Sequence, residues 1–123
     1  MTSFASGLAG YGKTVDGLYP NPKNVNQFFK TYGGFSGAFF SWTSPATQRL
    51  GLVCEGLVYD KTAIKNAVCA GNKIVILNVR NGGHWVLATS ANDTAFGVME
   101  PGGYTSTSYT RTEVSQALVY RLA

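Results

Sequence analysis

The first half of the chain carries apolar residues at helical spacing, and the second half carries them in short runs broken by Asn, Asp and Gly. In "MTSFASGLAGYG" Phe4, Ala5, Leu8 and Tyr11 share one helical face, Met1 joins it, and Gly10 and Gly12 mark its end. Almost no side chain there is suited to water, so the spacing predicts a buried central helix over residues 1–11. Next, Asn21 is a natural N-cap, Pro22 fits the first helical position, and Val25, Phe28, Phe29 and Tyr32 form a stripe that stops at Gly33 and Gly34. "FSGAFFSW" reads as an aromatic loop lining a groove, and Ser44 with Pro45 opens a short helical turn that Gly51 closes.

Asp60 caps a further helix in which Ile64, Ala67 and Val68 share a face and which Gly71 terminates. The pattern then changes. Residues 73–80, 84–90 and 95–100 read as strands separated by "NGG" and "ANDT", both turn sequences. Thr110 and Glu113 have capping-box spacing before "VSQAL", which predicts a short helix there, and "VYRL" predicts a last strand. Helices first and a meander afterwards argue for an α+β fold, with the N-terminal helix packed on an antiparallel β-sheet.

Composition narrows the function classes. At 123 residues the chain has the length of one domain. Charged residues make up only 13%, against about 25% in an average soluble domain, so Ser, Thr, Asn and Gly must build much of the surface. That composition points to an extracellular or virion-associated setting. The net charge of +4 comes from basic residues scattered singly between Lys13 and Arg121, which argues against nucleic acid as a partner. No stretch reaches the roughly 20 apolar residues of a membrane span. Cys54 and Cys69 lack metal-ligand spacing and stand with a single histidine, so neither a metal nor another cofactor is expected. Cys54 lies in the apolar run "LGLVCEGLVY" and Cys69 at a helix tail; both read as packing residues with no disulfide between them.

The candidate chemistry centres on "NGGHWVLATSANDTAFGVMEPGG". His84 opens a strand beside two glycines, and Glu100 closes the next strand before a Pro-Gly turn. If adjacent strand ends bring them together, Glu100 would accept a hydrogen bond from one imidazole nitrogen and raise the basicity of the other. Taken alone, the residues fit a solvated His and Glu at the sheet rim better than a catalytic pair.

A resemblance shifts that balance. "GNKIVILNVRNGGHWVLATSANDTAFGVMEPGG", over residues 71–103, resembles the later half of papain-like cysteine peptidases of the C39-like group, and "YGKTVDGLYPNPKNVNQFFKTYGGFSG" resembles the segment after their catalytic helix. The likeness implies a papain-like fold over residues 1–123, His84 as general base, and Glu100 in the place of the orienting Asp. It also implies a departure: the family's nucleophilic Cys would fall just before Met1, with the oxyanion Gln further upstream, so the domain reads as truncated at its N-terminus. Loss of a triad nucleophile costs about six orders of magnitude in rate. The expected role is therefore non-catalytic: a peptidase-like domain used for binding or structure, for instance in a phage particle or cell-envelope assembly. Its expected partners are a peptide, peptidoglycan or other protein chains of the assembly. The alternative is a cysteine peptidase or peptidoglycan hydrolase whose Cys comes from an upstream segment or another chain. Whether the protein is an enzyme thus turns on a residue this chain lacks.

Overall fold

A computed structural model describes residues 2–33, 35–36, 39–40, 45–99 and 107–122. Helix α1 spans Thr2–Gly10 and α2 Pro22–Thr31; the two-residue strands β1 (Phe35–Ser36) and β2 (Phe39–Phe40) pair with each other. Then come α3 (Pro45–Arg49), β3 (Leu52–Val58), α4 (Lys61–Cys69), β4 (Lys73–Val79), β5 (His84–Ala91), β6 (Ala95–Met99), β7 (Ser108–Thr110) and β8 (Gln116–Leu122). Strands β3 to β8 form one antiparallel sheet in the order β3-β8-β4-β5-β6-β7, which makes the fold α+β.

The caps expected from the sequence hold the helices. The Asn21 side chain accepts from the Asn24 amide at 2.8 Å, and Asp60 accepts from the Thr62 amide at 2.9 Å, each satisfying a donor that a helix N-terminus leaves unpaired. Helix α1 lies on β4 and β5, as its apolar pattern predicts. Tyr11 donates from its hydroxyl to the Lys73 carbonyl at 2.7 Å, and Gly7 rests on Ile74. The end of the helix therefore lies over the start of β4, and Phe4 reaches Tyr120 on the neighbouring strand β8.

Alternation along the strands splits the apolar residues between two cores. On the α1 side Phe4, Leu8, Phe29, Ile74, Ile76, Leu118 and Tyr120 pack together, and the Phe4 ring meets Phe29 and Tyr120 edge-on at 5.6 and 5.1 Å. On the α4 side Ile64, Val75, Leu77, Val79, Val86 and Val119 form the second core. With a core on each side, β4 is buried from Ile74 to Val79.

Two sequence expectations need correction. "VSQAL" is not a helix: Thr110 donates its amide to the Glu113 carboxylate at 2.9 Å, as a capping box should, but the box bounds only a 3-10 turn over Arg111–Glu113. The chain then enters β8, which pairs with β3 on one side and β4 on the other. A central strand satisfies all its backbone groups in two ladders and buries both faces, so "ALVY" is a continuous apolar run rather than a helical stripe. Second, the aromatic segment expected as a loop contains the β1–β2 ladder, with Phe35 opposite Phe40; residues 37–38 and 41–44 lie outside the described residues. The apolar run "LGLVCEGLVY" supplies edge strand β3, bulged between Cys54 and Gly56, where Gly56 takes φ 88°.

Candidate functional site

His84 owes its position to a four-residue loop. Strand β4 ends at Val79, and Arg80, Asn81 and Gly82 all adopt left-handed backbone angles, φ 52°, 57° and 87°. The Gly82 and Gly83 amides close successive turns onto the carbonyls of Val79 and Arg80, both at 3.1 Å. Glycine and asparagine take such angles readily; for arginine the conformation costs about 1 kcal/mol or more. Tyr109 holds Arg80 there, its hydroxyl accepting from Nε at 3.1 Å and its ring centre 5.5 Å from the guanidinium carbon. The sequence reading ran the strand through residue 80, and the structure ends it one residue earlier.

Asn78, only 2% exposed, ties this loop to the rest of the sheet. Its side chain donates to the Gly82 carbonyl at 3.2 Å and accepts from the Ser115 hydroxyl at 2.8 Å, while its own carbonyl accepts from the Ser115 amide at 3.0 Å. A buried amide with both ends used avoids the penalty of an unsatisfied polar group. Sequence reasoning passed over Asn78; its signal was the lone polar residue inside "KIVILNV".

The register places His84 opposite Val79 and Trp85 opposite Asn78. Val79 and Val86 belong to the α4-side core, whereas Trp85 packs against the α1-side core with Leu87. By strand alternation His84 takes the α4 side and Trp85 the α1 side. His84 therefore lies on the face of the sheet opposite the one that α1 covers. The imidazole is half-buried. Glu100 lies outside the described residues, so its place beside His84 is not described; the last residue before it, Met99, pairs with Leu87.

Both thiols are free and distant from His84. Cys54 pairs with Tyr120, which pairs with Ile74. That row lies three strands and five residues from His84, about 20 Å at ordinary sheet spacings. Cys54 is half-buried against the α1-side core, and burial, with a smaller effect from Cys54, raises the neighbouring Tyr120 hydroxyl well above its ordinary pKa. Cys69 donates through sulfur to the Ala91 carbonyl at 3.7 Å, at the far end of β5 and again about 20 Å from His84. Among the described residues no group of three His, Cys, Asp or Glu side chains could hold a metal ion, and no helix is long and apolar enough to cross a membrane.

Beside the hairpin, Arg80, Asn81 and Glu113 border a depression of about 330 Å³. Hydrogen bonds from the Thr110 amide and hydroxyl hold the Glu113 carboxyl below its ordinary value of 4.5. The site thus combines a half-buried imidazole, a constrained loop and a tethered arginine. Neither of the two thiols joins them. In comparisons with known proteins, no family model, curated protein or solved structure matches the chain.

Proposed function

We propose that this chain is a non-catalytic binding or structural domain that carries a papain-like, C39-like sequence pattern. The observation that carries the reading is the separation of about 20 Å between His84 and each thiol. A general base needs its nucleophile within hydrogen-bond reach, directly or through one water. The constrained β4–β5 hairpin sets Arg80 and Asn81, with Glu113, around a depression at a rigid sheet end, an arrangement suited to holding a peptide or a protein partner. The low charge supports an assembly such as a phage particle or cell-envelope complex as its setting. In a hydrolysis assay with labelled casein and with peptidoglycan, the purified chain is expected to show no turnover, before or after alkylation. Turnover abolished by Cys54→Ser would overturn the proposal.

One observation favours a second reading. Helix α1 packs on β4 and β5, the two strands joined by the hairpin that carries His84, and the family pattern would place a cysteine at its start, supplied by a preceding segment or a second chain. Joining a Cys-containing segment to the N-terminus tests this. Hydrolysis that appears on extension and vanishes in His84→Ala would establish a peptidase completed from outside this chain.

A further inference from the structure

At the opposite end of the sheet from His84, the loop after α1 and the turn after α3 enclose a depression of about 560 Å³. Phe28 and Leu50, each almost wholly buried, line its floor, and Lys13, Asp16 and Arg49 supply a mostly polar rim. The walls are built rigidly. Val15 and Leu18 exchange backbone hydrogen bonds at 2.9 and 3.0 Å across an Asp16-Gly17 turn, in which Asp16 has φ 51° and Gly17 φ 79°. The Tyr32 hydroxyl donates to the two Asp16 carboxylate oxygens, at 3.0 Å each, and the Arg49 guanidinium lies 4.1 Å from the Tyr32 ring centre. The Lys13 ammonium sits 2.9 Å from where a Gly51 Cβ would be, so the glycine leaves it space.

Two cations therefore converge on the depression, and neither has an ion-pair partner among the described residues. The ion pairs there are Lys65 with Asp93 and Lys73 with Glu55. Asp16 borders the same space with its carboxylate engaged by Tyr32. The local balance is one net positive charge above an apolar floor, which suits a monoanion and opposes a phosphate dianion.

We infer that this depression binds a carboxylate borne on an apolar group, with Lys13 and Arg49 holding the carboxylate and Phe28 and Leu50 the apolar part. That chemistry belongs to an acylated amino acid or to the C-terminal residue of a peptide. The inference is independent of the role proposed for the His84 hairpin, because the two lie at opposite ends of the sheet. N-acetylphenylalanine, titrated into the 15N-labelled chain, is expected to shift the Gly12 and Gly51 amides saturably. Lys13→Gln and Arg49→Gln are each expected to weaken binding about tenfold, the scale of one charged hydrogen bond.

Arg49 also stacks on Tyr32, so Lys13→Gln, which removes no described packing contact, keeps the test valid if Arg49→Gln disturbs folding. Equal binding of N-acetylphenylalanine amide, equal or tighter binding of inorganic phosphate, or unchanged affinity in Lys13→Gln would each overturn the inference. A hexapeptide ending in free phenylalanine distinguishes the sources. Tighter binding than the acylated amino acid assigns the site to chain termini, and equal binding assigns it to small carboxylates.

Discussion

The two faces of the sheet are covered by different means. Against β4 and β5 on one side lies α1, whose residues Phe4, Ala5 and Leu8 are buried, and its Phe4 ring packs in turn on Phe29 of α2. A helix with so little polar surface needs a second layer over it. On the other side α4 buries Ile64 and Ala67 and leaves Thr62 and Asn66 exposed. The polar residues of α4 also make contacts at the margin of the sheet, Lys61 donating to the Arg111 carbonyl at 2.8 Å and Lys65 pairing with Asp93. The fillings differ accordingly: four aromatic rings, Phe4, Phe28, Phe29 and Tyr120, on the α1 side, against Phe96 and Tyr109 among the valines Val75, Val79, Val86, Val114 and Val119 on the α4 side. A helix that is amphipathic closes its face alone, whereas an apolar one must recruit another element.

Truncating a side chain in each core tests this contrast most directly. Phe4→Ala is expected to cost about 4 kcal/mol and Ile64→Ala about 3 kcal/mol, measured by urea denaturation, because the aromatic leaves the larger cavity and loses two ring contacts. A larger loss for Ile64→Ala would reverse the ranking of the faces. The first variant removes much of the 5–15 kcal/mol that holds a typical domain together.

A smaller effect concerns how closely each helix approaches the sheet. A Cβ on Gly7 would lie 2.7 Å from Ile74 Cγ2, and Ile74 is buried and stiff at its branched Cβ. Gly7→Ala gains about 1 kcal/mol of helix propensity but overpacks the contact by about 1–3 kcal/mol, so the expected result is a net loss of about 1 kcal/mol. Net stabilisation would mean that α1 can lift from β4 without penalty. Helix α4 makes its contact through Ala67 and needs no glycine there.

The smallest effect belongs to pH. The hydrogen bond and charge of Lys65 hold Asp93 below its ordinary 3.8, and Thr110 holds Glu113 below 4.5. Both carboxyls have depressed values in the folded state. The stability they contribute is therefore present above those ordinary values and is lost as pH falls through the lower folded ones. The Asp93→Asn, Glu113→Gln double variant is expected to lose less stability than the unaltered chain between pH 5 and pH 3, an interval set by those ordinary values. Identical acid profiles would remove the two carboxyls from the account.

Local chemistry was legible along the chain. Asn21-Pro22 and Asp60 start α2 and α4 where expected, because a cap is a contact between near neighbours. The runs in "KIVILNVR" and "HWVLATS" announce β4 and β5 for a similar reason. Three further features rest on how segments meet in three dimensions. Strand β8, last in the chain, lies between β3 and β4; "VSQAL" carries a real capping signal, yet the two ladders available to a central strand override it. The face that His84 takes depends on its register against Val79, since a shift of one residue would exchange it with Trp85. The depression holding Lys13 and Arg49 joins loops that are distant in sequence, and no spacing rule reaches that far. Most element types and ends were settled locally by caps, turns and periodicity, whereas strand order, the register that sets each side chain's face and the grouping of charges arose only when the strands and loops met.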